Sequence, residues 1–181
     1  ETVTQVPRQF TQGPAQWQPI VVGRAILRSR NGSVLLDNPS TILSGSEGNA
    51  IAAVEGQAGG ASGTFSITNG ARRDPSTSDP VQVGLDVAGN ITATTVRLIT
   101  TGDITRSAGV ITADTLVIRL PGEPALAAAA GGAGNQPSAA TLTAAGNAVG
   151  RLVFEGRQDE GGATLSLASN RSLTLGDLTG T

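Results

Sequence analysis

Ala88-Gly89-Asn90-Ile91-Thr92-Ala93-Thr94-Thr95 and Ala108-Gly109-Val110-Ile111-Thr112-Ala113-Asp114-Thr115 lie twenty positions apart and agree at six of eight. The apolar pattern continues in step beyond them, with Val96 and Leu98 matching Leu116 and Ile118. Self-similarity at a fixed short period is the mark of a chain that returns beside itself once per repeat. Residues one period apart then stack on neighbouring strands about 4.8 Å apart. The spacing therefore predicts aliphatic ladders, Ile91 with Ile111, Ala93 with Ala113, Val96 with Leu116 and Leu98 with Ile118, and a hydroxyl ladder of Thr92 and Thr112 on the outside. Gly89 and Gly109 fall at coil corners on this reading.

Shorter echoes extend the pattern. Thr100-Thr101-Gly102-Asp103-Ile104-Thr105 recurs as Thr174-Leu175-Gly176-Asp177-Leu178-Thr179, and Gly48-Asn49-Ala50-Ile51 as Gly146-Asn147-Ala148-Val149. Each sets Gly and Asn or Asp ahead of an aliphatic residue, so Gly102, Asp103, Gly176 and Asp177 are read as further corners. Period-two alternation in Val81 to Val87, Leu165 to Leu167 and Leu173 to Leu175 is that of strands with one buried face. Helical periodicity is nowhere sustained; Pro124 to Ala130 is the one stretch that could make a turn or two. The fold expected is an all-β, right-handed parallel β-helix, a β-solenoid with coils of about twenty residues. A β-sandwich is the alternative, and Asn31-Gly32 and Asn69-Gly70, good hairpin dipeptides, predict some antiparallel pairing near residues 20–45. The aromatic content, Phe10, Trp17, Phe65 and Phe154, suits a narrow tube, with Trp17 read as a plug at one end.

Residues 1–22 read as an extended N-terminal segment that caps the stack or donates a strand through Thr2, Val3, Thr4 and Val6. Residues 23–181 read as the solenoid, with insertions at about 70–80 and 121–140. The unit opened by Gly176-Asp177 would need further residues to complete a coil. That predicts either a fragment of a longer chain or a coil completed by a partner.

Composition narrows function by what is missing. The 181 residues contain no Cys, His, Met, Tyr or Lys, so all twelve cations are arginine. Histidine-based triads, thiolate nucleophiles, Schiff-base lysines and Cys/His zinc sites are thereby excluded, as are disulfides. A net charge of −2 with scattered arginines gives no electrostatic case for nucleic acid. No run of apolar residues is long enough for a transmembrane helix. No catalytic, cofactor-binding or metal-binding residue is expected. Asp103 and Asp114 are the nearest approach to a carboxylate pair for polysaccharide hydrolysis, and Asp159-Glu160 reads as a turn tip. Gly131-Gly132-Ala133-Gly134-Asn135 begins like a calcium-binding nonapeptide, but Gln136 stands where its aspartate belongs, so the segment is read as a loop.

The run from Gly89-Asn90-Ile91-Thr92-Ala93 through Thr101-Gly102-Asp103-Ile104-Thr105 to Gly109-Val110-Ile111-Thr112-Ala113 resembles the repeats of filamentous-haemagglutinin-type bacterial exoproteins and related surface adhesins. The match is strongest over residues 81–120, with traces at 146–179. The resemblance implies a parallel β-helix, export through an outer-membrane secretion pore with the signal peptide already removed, and a place outside the cell or on its surface. The expected function is then adhesive or structural, by surface ladders that hold a host or neighbouring-cell ligand. The alternative is a subunit that stacks head to tail on further copies of itself through open coil ends and an N-terminal donor strand, forming an extracellular filament. A polysaccharide-active enzyme is the third expectation.

Overall fold

The computed structural model describes residues 3–4, 18–38, 47–121, 138–156 and 162–180. Those residues form β1 (Val3–Thr4), β2 (Val21–Ser29), β3 (Val34–Asp37), β4 (Ala50–Ala58), β5 (Thr64–Thr68), β6 (Arg72–Arg73), β7 (Pro80–Val81), β8 (Leu85–Ile99), β9 (Ile104–Ala108), β10 (Ile111–Leu120), β11 (Ser138–Leu142), β12 (Ala148–Gly156), β13 (Ala163–Leu167) and β14 (Thr174–Gly180). No helix occurs among them.

Twelve of the strands make one curled sheet in which every pairing is parallel; only β6 and β7 pair antiparallel. One path runs β1-β3-β5-β8-β10-β12-β14. A second set joins it, with β2 on β4, β4 and β9 on the first part of β8, and β11 between β9 and β13. β8 is long enough to serve both sets. Its residues Leu85 to Ala88 pair with β9, and Ile91 to Ile99 pair with β10. A β-sandwich of antiparallel sheets does not describe this arrangement. Nor does either Asn-Gly dipeptide make a hairpin: β2 and β3 flank Asn31-Gly32 yet pair with β4 and β5 respectively. Asn69 bridges in parallel to Asn49. The buried aliphatic face of β3, Val34 and Leu36, is covered by the next turn of chain, with Val34 beside Phe65 and Leu36 beside Ile67, and not by its own sequence neighbour.

The ladder foreseen from the repeat lies in β8 and β10. Ile91, Thr92, Ala93, Val96 and Leu98 stand beside Ile111, Thr112, Ala113, Leu116 and Ile118. The eight apolar members are buried, and the two threonines face solvent. Twenty residues is nevertheless the spacing of this pair of coils and not of the stack. Val34 stands beside Phe65 and Phe65 beside Val96, thirty-one positions each time, whereas Leu116 stands beside Leu152, thirty-six positions on. A ladder requires only that strands return in register, so extra chain leaves the stack as loops between them. The β6–β7 hairpin, within the insertion expected at 70–80, is one such excursion. In the insertion expected at 121–140, however, Ser138 to Ala140 belong to β11, with Ser138 and Ala140 buried.

The core is a single aliphatic cluster running the length of the stack, from Val34 and Ile51 to Val149 and Leu152. Among the described residues, Phe65 is the one aromatic ring wholly inside it. Burying each Val, Ile or Leu contributes about 1.5–3 kcal/mol.

Candidate functional site

With an interior of hydrocarbon, any chemistry of this chain belongs to the outward rows and the corners. One outward row sets Gln57 beside Thr92 and Thr92 beside Thr112, all three exposed. Another sets Thr64, Thr95 and Thr115 side by side on β5, β8 and β10. Polar side chains on these faces tie coil to coil. Asp37 Oδ1 accepts hydrogen bonds from Ser66 Oγ (2.7 Å) and Thr68 Oγ1 (2.9 Å) on the neighbouring strand. Arg24 pairs with Glu55 at 2.6 Å between β2 and β4, and Arg119 with Glu155 at 2.5 Å between β10 and β12. Both pairs are partly exposed, so Arg119→Ala is expected to cost no more than about 1 kcal/mol in urea unfolding.

The corners carry buried amides. Asn49, Asn69 and Asn147 are essentially inaccessible to solvent. Each spends its side chain on main-chain groups of different coils. Asn69 Nδ2 donates to Ile51 O (2.9 Å) and Gly84 O (3.0 Å), and its Oδ1 accepts from Ile51 N (3.1 Å). Asn49 donates to Leu36 O and Thr68 O and accepts from Ile20 N. A buried polar group is tolerable only when so satisfied. The echo Gly48-Asn49 and Gly146-Asn147 marks two of these positions. Asn69 carries the same role without it. Asn38, Asn69 and Thr100, each following its strand on the 31-residue register, are likewise all buried.

The glycine corners divide. Gly109, with φ of 71°, follows β9 and lies against Gly89, so these two repeat glycines are in contact. Gly102 and Asp103 make the bend between β8 and β9, where Gly102 N donates to Val83 O at 2.8 Å. Gly176 and Asp177 are not a corner: they lie inside β14, where the register against β12 slips between Leu152↔Leu175 and Phe154↔Leu178. The same Gly-Asp dipeptide bends one turn and bulges the other because the neighbouring strand, and not the dipeptide, fixes how many residues must fit. Val3 and Thr4 of the expected assembly strand form β1, paired in parallel with Val34 and Leu35. Thr2, Val6, Trp17, Pro124–Ala130, the Gly131–Gln136 stretch and Asp159-Glu160 lie outside the described residues.

The acidic residues weighed for catalysis are exposed and engaged in structure. Asp103 Oδ1 accepts from Ala139 N at 2.8 Å, and Asp114 faces Arg171 at 3.5 Å. Asp103 shares a shallow depression of about 360 Å³ with Asp86, Thr105 and Leu85; Asp114 does not line it. Asp86, which the sequence did not single out, accepts hydrogen bonds from Ser107 N (2.8 Å), Ser107 Oγ and Thr105 Oγ1 (3.1 Å). These are acceptors that fasten β9 to β8. In the β6–β7 hairpin Asp74 accepts from the Ser76 hydroxyl and from the amides of Ser76 and Thr77, bonds that hold its carboxyl below the usual carboxylate range. With the pKa lowered, the carboxylate supports the turn fully at and above the ordinary carboxylate range, and that support is lost only as pH falls below that range, through the lowered pKa.

No protein-family model matches the chain, and comparison with curated proteins and with solved structures gives no match.

Proposed function

We propose that the curled sheet closes on itself as a right-handed parallel β-helix and that the chain is a non-catalytic adhesive or structural segment of a bacterial surface exoprotein of the filamentous-haemagglutinin type. The observation that carries the reading is the division of labour between the two sides of the sheet. Inward positions form unbroken aliphatic rows such as Val96-Leu116-Leu152, while the outward rows Gln57-Thr92-Thr112 and Thr95-Thr115-Arg151 are polar from coil to coil, with Val117 and Val153 beside Arg97 between them. Such a wall displays repeated hydroxyl groups along the stack, suited to holding an extended ligand through many weak contacts. The resemblance of residues 81–120 to exoprotein repeats supports export through an outer-membrane pore and an extracellular or cell-surface location.

The test is binding of labelled chain to host cells or to neighbouring bacteria. Saturable binding competed by unlabelled chain is expected, and Thr92→Ala with Thr112→Ala should weaken it several-fold, by roughly 1 kcal/mol per lost hydrogen bond. Release of oligosaccharides from an acidic polysaccharide, abolished by Asp103→Asn or Asp114→Asn, would replace this reading with an enzymatic one.

A further inference from the structure

Two asparagines precede glycine, in Asn31-Gly32 and Asn69-Gly70. The dipeptides are alike in sequence and opposite in setting. Asn69 is 1% exposed, and both polar atoms of its side chain are engaged: Nδ2 donates to Ile51 O (2.9 Å) and Gly84 O (3.0 Å), and Oδ1 accepts from Ile51 N (3.1 Å). The main-chain amide that follows is held as well, Gly70 N donating to Asn49 O at 3.1 Å. Asn31 instead lies exposed in the bend between β2 and β3, and no described residue hydrogen-bonds its side chain. The chain is anchored on either side of that bend, with Ser29 O accepting from Gly59 N (2.9 Å) and Ser33 Oγ from Thr64 N (3.0 Å).

We propose that Asn31 is a site of spontaneous deamidation in the folded protein, and that the fold protects Asn69 from the same reaction. Water is the only co-reactant. The nitrogen of Gly32 attacks Asn31 Cγ; a C–N bond forms, the Cγ–Nδ2 bond breaks, and ammonia departs with the proton that the Gly32 nitrogen gives up, leaving a five-membered cyclic imide. Water then adds to one of the two imide carbonyls and breaks a ring C–N bond, giving aspartate or, where the main-chain bond is the one broken, isoaspartate. Glycine favours the attack because no Cβ shields its nitrogen. Ring closure also requires the side chain to swing onto that nitrogen. An unbonded side chain in an exposed bend does so freely. Asn69 can do so only by giving up its three side-chain hydrogen bonds and the one from Gly70 N, inside a buried corner. Conversion at residue 31 adds one negative charge to a chain of net charge −2, and the isoaspartyl form adds a main-chain carbon at a bend outside the strands. The inference is independent of what the outward rows bind.

Peptide mapping by mass spectrometry of the full chain, aged in mildly alkaline buffer both folded and in urea, tests it. In the folded chain Asn31 should convert about a hundredfold or more faster than Asn69, whose reaction waits on local opening of the buried corner. In urea the two sites should convert at comparable rates. Isoelectric focusing of the folded chain should show an acidic species that builds up with age, runs level with Asn31→Asp and is missing from Asn31→Gln, whose longer side chain would have to close a six-membered ring. Circular dichroism establishes that both variants are folded, and the peptide map of the parent chain decides the matter without them. Asn69 converting as fast as Asn31 in the folded chain would overturn the proposal, as would an Asn31 that stays intact in the folded chain while it converts in urea.

Discussion

Asn147→Ala is expected to lower the free energy of unfolding by about 3–5 kcal/mol, read by urea titration followed by circular dichroism. The side chain is completely buried. Its Oδ1 accepts from Ile111 N at 2.9 Å, and its Nδ2 donates to Leu142 O at 2.7 Å and Ala168 O at 3.1 Å. Those three groups come from the start of β10, the end of β11 and the chain just past β13, so one amide closes the corner of successive coils. Alanine strands the buried Ile111 N and takes the side-chain donor from Ala168 O, while Leu142 O keeps its bond from Ala168 N, and each stranded buried group costs about 1–3 kcal/mol. Asn147→Asp distinguishes hydrogen bonding from packing. It keeps the shape and the acceptor but turns a carboxylate toward two carbonyl oxygens. The folded-state carboxyl is then raised above the ordinary range by burial and by those oxygens. Its loss of stability should be largest at neutral pH and shrink as pH falls far enough to protonate it. An alanine variant within about 0.5 kcal/mol of the parent would remove the corner amides from the account.

Gly109→Val should be at least as damaging, with an expected loss of about 3 kcal/mol or more and a collapse of the β8–β10 pairing. Two constraints coincide there. The φ of 71° lies in the left-handed region, which a β-branched residue strongly resists. A Cβ would also stand 2.1 Å from Gly89 C and 2.3 Å from Gly89 O. Both atoms are main chain of the coil beneath, so no side chain can rotate away to make room. Gly23→Ala is the contrasting case: nothing lies within 4 Å of its added Cβ, and it should change stability by less than about 1 kcal/mol. Thermal unfolding of the two variants side by side checks the pair.

The two glycines that meet, Gly89 and Gly109, are also the ones that the repeat exposed, and the reason is physical. A Cβ on Gly109 would meet main chain of Gly89, which cannot move aside, so glycine is required there and recurs at the twenty-residue spacing. Elsewhere the stack asks less of each residue. Val34, Phe65 and Val96 share only being apolar, and the outward neighbours Leu35, Ser66 and Arg97 share nothing. A 31-residue return was therefore invisible to a search for matching words, and the resemblance was confined to residues 81–120 and 146–179 although β2 to β5 extend the same sheet. β11 was hidden for a different reason. Ser138-Ala139-Ala140-Thr141 has a weak apolar signal, and only its burial against Leu85, Ile104 and Leu165 rows makes it a strand. The Asn-Gly dipeptides misled because local turn preference is worth less than covering an aliphatic face. Asp103 was legible as a corner from its echo whereas Asp177 was not, and Asp86, which fastens β9, left no signal beyond one Asp in an alternating run.

The account rests on successive coils lying side by side in the observed register, and the cysteine-free sequence permits a clean measurement of it. Thr92→Cys and Thr112→Cys placed together put two thiols on exposed, adjacent positions of parallel strands, within the Cα separation that a disulfide spans. Mild oxidation should close an intramolecular disulfide in nearly every molecule, seen as a loss of two hydrogens by mass spectrometry with circular dichroism unchanged. A folded double variant that keeps two free thiols, or that cross-links only between molecules, would contradict the register and the stacked arrangement built on it.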